Sequence, residues 1–345
     1  MRIGVLTGGG DCPGLNAAIR AVVRRAVVDG HEVAGILNGW AGLATVGAPT
    51  TVPLNAEAVS GIIAKGGTIL GSSRTNPAGR EGGLDAVEAN LRDLGLEALI
   101  AIGGDDTLSV AAALAGRGAP VVGIPKTMDN DVFGTDACIG FDSAATTVME
   151  ALDKLQTTAA SHHRVMVVEV MGRDAGWIAT YAGLAGGADA ILVPERGADI
   201  TALAQRLTER RRHGTGSSIV VVSEGVRLTD QVEEAPEGKL DAFGHPRLDL
   251  RGVGDALGRR IEEMTGIETR VTVLGHLQRG GSPSLFDRVL ATRYGAAAME
   301  ALLAGRTGVM VALRGDRIVE VSLVEIAGKN RGVDPALFEL ATLFD

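Results

Sequence analysis

Aromatic side chains make up only 3% of this chain, with two Trp, two Tyr and six Phe. Val, Ile, Leu and Ala must therefore fill the core, which suits helices packed on a buried parallel sheet. Cysteine is scarcer still. The two cysteines, Cys12 and Cys138, form no metal-ligand spacing and no disulfide framework, as expected in a reducing cytoplasm. Long apolar runs are also missing. The N-terminal run stops at Gly8, too short for a secretory signal or a membrane span. Positive charge is in deficit, with a net charge of −9. A general nucleic-acid or anionic-membrane surface is excluded on that ground, because each needs a dense basic patch.

Glycine is abundant. Many of the 49 glycines in these 345 residues stand where an apolar run ends, as tight strand-to-helix turns require. At about 100–200 residues per domain, this length makes about two domains. Short β-branched runs alternate with helix-length segments. Strands are expected at Ile3–Leu6, Val33–Leu37, Ala98–Ile102, Val121–Ile124, Val165–Val170, Ala190–Val193, Ile219–Val222 and Val271–Leu274. A helix is expected over Asn16–Val28, where Ile19, Val22, Val23 and Val27 recur near a 3.6 period. Such alternation is the pattern of parallel doubly wound sheets, and eight strands suit two α/β layers. Glu209–His213 should end a helix at Gly214, since basic groups favour that end of the dipole. Thr229–His245 reads as an exposed excursion, and Val309–Val321 as a hairpin turning at Arg314-Gly315-Asp316.

The loops after the strands are the informative feature, because open α/β sheets bind ligands beyond the carboxyl ends of their strands. The first strand runs into Thr7-Gly8-Gly9-Gly10-Asp11-Cys12-Pro13-Gly14. Its free N–H groups and the helix behind it make a phosphate cradle, with a plain tight turn as the even alternative. The loop has neither the Walker A lysine nor the dinucleotide G-x-G-x-x-G spacing. Asp105 and Asp106 follow Gly103-Gly104. They suit Mg²⁺, which takes oxygen ligands, yet alone they read more simply as helix-start aspartates. Lys126, Asp129 and Asp131 crowd one turn. There a cation can steady phosphoryl charge while a carboxylate takes a hydroxyl proton; the plain alternative is an Asx turn with a surface ion pair. Arg164, Arg173, Arg270, His276 and Arg279 flank strands in an acidic chain, and the guanidinium fork suits phosphate. The other histidines, His31, His162, His163, His213 and His245, give no ligand spacing and read as structural or exposed.

Six segments in order carry a resemblance over nearly the whole chain. They are Gly4–Asn16, Gly103–Thr107, Pro125–Asp131, Glu169–Arg173, Ser223–Gly225 and Leu274–Gly281. Together they make the chain resemble the phosphofructokinase family. The resemblance implies two similar three-layer α/β domains with mostly parallel sheets and the active site in the cleft between them. The donor domain would be 1–140 with 278–326, and the fructose 6-phosphate domain 141–277 with 327–345. It implies Asp129 as the base, supported by Thr127 and Asp131, with Asp105 holding Mg²⁺. Gly9, Gly10 and Arg74 would line the donor site. Met171, Gly172, Arg173 and Glu224 would bind the sugar, and Arg164, Arg270, His276 and Arg279 its 6-phosphate. Residues matching Arg164 and Arg270 come from a neighbouring subunit in the family, which implies a homodimer or homotetramer. The resemblance also implies a cytoplasmic enzyme without nucleic-acid or membrane partners.

The choice of donor turns on Asp106 and Lys126. ATP-using members of the family typically carry Gly where Asp106 stands, and many carry Gly where Lys126 stands. Pyrophosphate-using members resemble this chain. A carboxylate in the space of an α-phosphate would repel it by about 4 kcal/mol at about 4 Å and an effective dielectric near 20. Lys126 weighs less, because some ATP-dependent relatives share it. The expectation is pyrophosphate, with ATP as the alternative. A nicotinamide oxidoreductase is disfavoured by the missing dinucleotide spacing. A catalytically dead sugar-phosphate-binding subunit is disfavoured by the joint presence of Asp129, Asp105 and the arginines. The paired Arg20 and Arg24 of the first helix read equally well as a solvated face.

Overall fold

The computed structural model describes residues 1–45, 47, 49–228 and 252–342. The excursion expected at Thr229–His245 lies outside the described residues, and His245 with it. The chain divides into two compact units. One holds Met1–Ser143 and Arg279–Arg331; the other holds the described residues between 144 and 278 and those from Gly332 on.

The strands of the first unit are β1 (Arg2–Thr7), β2 (Glu32–Ile36), β3 (Thr51–Leu54), β4 (Ala98–Gly103), β5 (Val121–Pro125), β10 (Val309–Arg314) and β11 (Arg317–Ser322). They form one sheet in the order β11-β10-β5-β4-β1-β2-β3. Pairings are parallel from β10 to β2 and antiparallel only at the two edges. Its helices are α1 (Leu15–Val28), α2 (Gly39–Leu43), α3 (Gly83–Asp93), α4 (Asp105–Gly116), α9 (Leu285–Leu303) and α10 (Leu323–Ile326). Alternation along the strands explains the layers, since successive side chains face opposite sides. Ile3, Val5, Ile100 and Ile102 pack with α1 and α9. Leu6, Leu99 and Ala101 pack with residues of α3, α4 and α10 on the other side. Both faces are buried, so the strands read as continuous apolar runs.

The second unit has β6 (Val165–Val170), β7 (Ala190–Leu192), β8 (Ser218–Ser223) and β9 (Thr269–Val273), all parallel in the order β7-β8-β6-β9. Its helices are α6 (Trp177–Ala185), α7 (Ile200–Arg212), α8 (Val253–Thr265) and α11 (Pro335–Thr342), while α5 (Phe141–His162) runs into it from the first unit. Val165, Val167, Val220 and Val222 pack against α7 and α8, and Val168, Val170 and Val221 are buried on the opposite face. The fold is α/β with mostly parallel sheets, as the strand–helix alternation indicates.

All eight expected strands form, each within two residues of its expected ends. The hairpin turns at Gly315-Asp316, so Arg314 belongs to β10. The basic run closes α7 at Arg212, with His213 as its C-cap. β3 was not foreseen. It is an antiparallel edge strand carrying Pro53, and proline, which cannot donate to a ladder, hides such strands in a sequence. No helix among the described residues is long and apolar enough to cross a membrane.

Candidate active site

In the first unit the glycine loop after β1 meets the turn after β5. The N–H of Gly8 donates to Ile102 (2.9 Å) and that of Gly9 to Ser73 (3.0 Å), while the Ser72 hydroxyl donates to the Gly9 carbonyl (2.5 Å). Arg74 therefore comes directly after a residue bonded to the loop. A Cβ on Gly8 would come 2.5 Å from the Thr107 hydroxyl, and one on Gly103 would meet the same side chain. Only glycine permits that approach. Thr107 thus locks the first turn of α4, and with it Asp105 and Asp106, against the loop. Both aspartates occupy that first turn, where the helix dipole favours negative charge. The plain helix-start reading describes their position, and it leaves their oxygens suited to a hard cation.

Lys126 is almost fully buried. Its Nζ donates to the Gly10 carbonyl at 2.5 Å, and a Cβ on Gly9 would lie 3.6 Å from it. Burial pulls its ammonium below the usual lysine range, with nearby Arg279 acting the same way. Cys12, beside it, is fully buried, and its thiol is pushed up to about 12 by desolvation. Cys12 is therefore an inert packing group, not a nucleophile. Both cysteines are free and buried. Arg279 donates to the Asp11 carbonyl at 3.0 Å, and a Cβ on Gly10 would come 2.6 Å from its Nη1. Expected with the sugar phosphate, Arg279 here lies on the glycine loop.

Asp129 is the most informative side chain. It is 6% exposed. Its Oδ2 accepts from the Thr127 hydroxyl at 3.4 Å, and its own N–H donates back to that hydroxyl at 3.1 Å. Its Oδ1 is buried and has no hydrogen-bond partner among the described residues. An unmet buried acceptor costs about 1–3 kcal/mol, so folding leaves this oxygen poised for a donor. The turn is held by Asn130, which the sequence pattern alone did not single out. Asn130 adopts φ 54, a left-handed conformation that asparagine tolerates better than most residues. Its Oδ1 accepts from the Cys138 N–H at 2.9 Å. The Asp131 carbonyl accepts from the Arg331 N–H at 2.7 Å. The Asp-Asn-Asp spelling was the available signal for this turn.

In the second unit the loop after β6 carries Met171, Gly172 and Arg173. Gly172 (φ 149) and Arg173 (φ 49) are both left-handed. The Ala175 N–H closes the turn onto Gly172 at 2.9 Å. The Arg173 N–H donates to Glu224 Oε1 (3.4 Å), and the Met171 N–H to Gln278 Oε1 (3.3 Å). A Cβ on Gly225 would overlap the Arg173 carbonyl. Gln278 and Ser223 were not foreseen as site residues. Gln278 is fully buried, and the buried Ser223 hydroxyl has no partner among the described residues. Both stood within recognised motifs, but only packing reveals that they face the loop.

Arg164 and Arg270 lie elsewhere. Both approach Glu268, Arg164 at 2.8 Å, and the two guanidinium groups hold that carboxyl below its usual range. Arg164 precedes β6, whereas Met171 comes after it. A strand of six residues separates them by about 20 Å at 3.3 Å per residue. The structure therefore does not bring these two arginines to Arg173 within one chain. His276 is exposed in the short turn after β9. Of the remaining histidines, His162, His163 and His213 are exposed and His31 is half-buried. Among the described residues no group of three or more His, Cys, Asp or Glu could by itself hold a metal.

A family model described as phosphofructokinase matches residues 2–302. The chain is 52% identical over 346 residues to a pyrophosphate–fructose 6-phosphate 1-phosphotransferase of Streptomyces coelicolor, covering 100% of this chain and 99% of that one. It is 49% identical over 339 residues to ATP-dependent 6-phosphofructokinase 3 of the same organism, covering 98% of this chain. Among solved structures it is similar to a pyrophosphate-dependent phosphofructokinase from Marinobacter aquaeolei, with a TM-score of 0.82 and 25% identity, over 97% of this chain and 86% of that chain.

Proposed function

The chain belongs to the phosphofructokinase family and is a phosphotransferase, and from that premise we propose that it moves a phosphoryl group reversibly from pyrophosphate to the 1-hydroxyl of fructose 6-phosphate. The observation that carries this reading is the buried Oδ1 of Asp129, without a partner among the described residues, beside the lysine that spans from the β5 turn to the glycine loop.

Asp129 Oδ1 accepts the proton of the sugar 1-hydroxyl. The sugar oxygen bonds to phosphorus as the bridging P–O bond of pyrophosphate breaks and phosphate departs. Thr127 and Asp131 orient the base. Lys126, with the Gly10 N–H, stabilises charge spreading over the phosphoryl oxygens, where positioning and electrostatics carry most of the catalysis. Arg74 and Arg279 meet the donor phosphates. Met171, Gly172, Arg173 and Glu224 hold the sugar, and His276 lies near its phosphate. The donor groups belong to the first unit and the sugar groups to the second. The carboxylate of Asp105 would hold Mg²⁺, a hard cation that takes oxygen ligands. Held there, it would supply neutralising charge to the donor.

Arg164 and Arg270 are assigned to a neighbouring copy's sugar phosphate, in a homodimer or homotetramer. Their position at the far end of β6 supports this, as does the edge strand β9, where Val273 is exposed. The enzyme is cytoplasmic in this reading.

Identities of 52% and 49% to relatives named for different donors do not separate pyrophosphate from ATP. Asp106 carries that choice. Its carboxylate stands in the turn that Thr107 locks to the phosphate loop, where an α-phosphate would need space. A coupled assay with fructose 6-phosphate and Mg²⁺, run in parallel with pyrophosphate and ATP, tests it. Turnover with pyrophosphate should exceed that with ATP by roughly two to three orders of magnitude. A preference for ATP overturns the donor assignment, and no turnover with either overturns the whole reading.

A further inference from the structure

We propose that Glu195 is a positioning residue that ties the C-terminal segment to the sugar loop, so that residues from Gly332 onward help set the affinity for the sugar phosphate. The proposal rests on the assignment of Met171–Arg173 to the sugar, and its test separates the two.

Glu195 lies just beyond β7 and is exposed. Its carboxylate is nonetheless committed on two sides. Oε1 and Oε2 accept from the Gly176 N–H at 3.0 and 3.1 Å. Oε1 also accepts from the Val333 N–H at 3.1 Å. Gly176 is the N-cap of α6 and has no side-chain cap of its own. The carboxylate therefore supplies the anion that the helix start favours, from a different element. Gly176 must be glycine for this, since a Cβ there would lie 2.9 Å from Oε2 and closer still to Val193.

Gly176 closes the loop that begins at Met171. Upstream, Gly172 and Arg173 hold positive φ values, and for the non-glycine Arg173 that conformation persists only where surroundings over-determine it. The loop is pinned at Met171 by Gln278, at Arg173 by Glu224 and at its far end by Glu195. The third pin alone reaches the C-terminal segment. That segment is docked a second time, because the Arg196 guanidinium carbon sits 4.3 Å over the Phe338 ring of α11. Asp334 caps the same helix through the Ala336 N–H at 2.9 Å. Adjacent residues Glu195 and Arg196 thus clamp the tail, and Glu195 passes the constraint to the sugar loop.

The test uses the full-length protein and three variants. Glu195→Ala should raise the KM for fructose 6-phosphate about tenfold, the usual weight of a charge-assisted hydrogen bond, with the KM for pyrophosphate unchanged. Glu195→Gln, which keeps an acceptor oxygen, should recover part of that loss. Val333→Pro removes the tail's donor and should raise the sugar KM in the same direction. Amide hydrogen exchange supplies a readout independent of turnover. Glu195→Ala should deprotect Gly176 and Val333 together, and Val333→Pro should deprotect Gly176. If Val333→Pro leaves both Gly176 exchange and the sugar KM at wild-type values, the coupling is overturned. It is equally overturned if Glu195→Ala raises both KM values alike, the mark of general loosening. If the wild-type protein turns over no fructose 6-phosphate, the assignment of function fails while the exchange data still decide the coupling.

Discussion

The Lys126 ammonium donates to the carbonyl oxygen of Gly10 across 116 positions of sequence, at 2.5 Å. One buried cation thereby fastens the phosphate loop to the turn that carries the proposed base. Burial lowers its pKa, so the folded state holds this proton less tightly than the unfolded chain does. The charge therefore costs stability below the folded pKa, and the cost fades as pH rises from there toward the ordinary lysine value of 10.5. Lys126→Met should lower kcat by about 10²–10³-fold and yet raise the melting temperature of the unliganded protein at pH 7. The gain should shrink in melts run toward pH 10.

Asp106→Gly should open the donor site to a nucleotide. ATP-dependent turnover should rise by up to about a thousandfold, corresponding to about 4 kcal/mol of relieved repulsion. Turnover with pyrophosphate should change much less. Initial rates with each donor at fixed Mg²⁺ check this, and an unchanged ATP rate would show that the carboxylate does not decide the donor.

Asp129→Ala should reduce kcat by about 10²–10⁴-fold with little change in sugar KM. It should also stabilise the fold slightly, because it removes an unmet buried acceptor. Arg164→Ala should be impaired in sugar affinity. If Arg164 serves a neighbouring copy, refolding the two impaired variants together should restore part of the activity, since some mixed oligomers then contain one intact site. Mixtures no more active than the separate variants would show that Arg164 does not serve a neighbouring copy.

Asp287 gives a stability signature in acid. It is fully buried at the start of α9, and its carboxylate accepts from the Gly140 N–H (2.9 Å), the Ser143 N–H (2.9 Å) and the Ser143 hydroxyl (2.6 Å). Desolvation outweighs these bonds and raises its pKa from 3.8 to about 6. The folded protein thus keeps a proton that the unfolded chain has released. The resulting stability is fully present below pH 3.8 and is lost as pH rises through about 6. Asp287→Asn should lower the melting temperature, because its amide N–H₂ faces backbone donors. It should also remove this component of the pH slope between those two values, measurable by melts in matched buffers.

The local elements were legible in the amino-acid sequence, because they depend on neighbours along the chain. β-branched runs followed by glycine or polar loops predict β1, β4, β5, β6 and β8, and the residues after them mark the glycine loop and the Asp129 turn that carry the proposed chemistry. Pro53 concealed β3, since an edge strand is defined by its partner and not by its own composition. Tertiary structure alone decided which of these residues meet. It put Arg279 on the glycine loop and left Arg164 and Arg270 at the opposite end of a strand from Arg173. It also buried one oxygen of Asp129 without a partner among the described residues and bound Glu195 to both Gly176 and Val333. Burial and long-range hydrogen bonds arise from packing between segments far apart in sequence, and no local pattern encodes them.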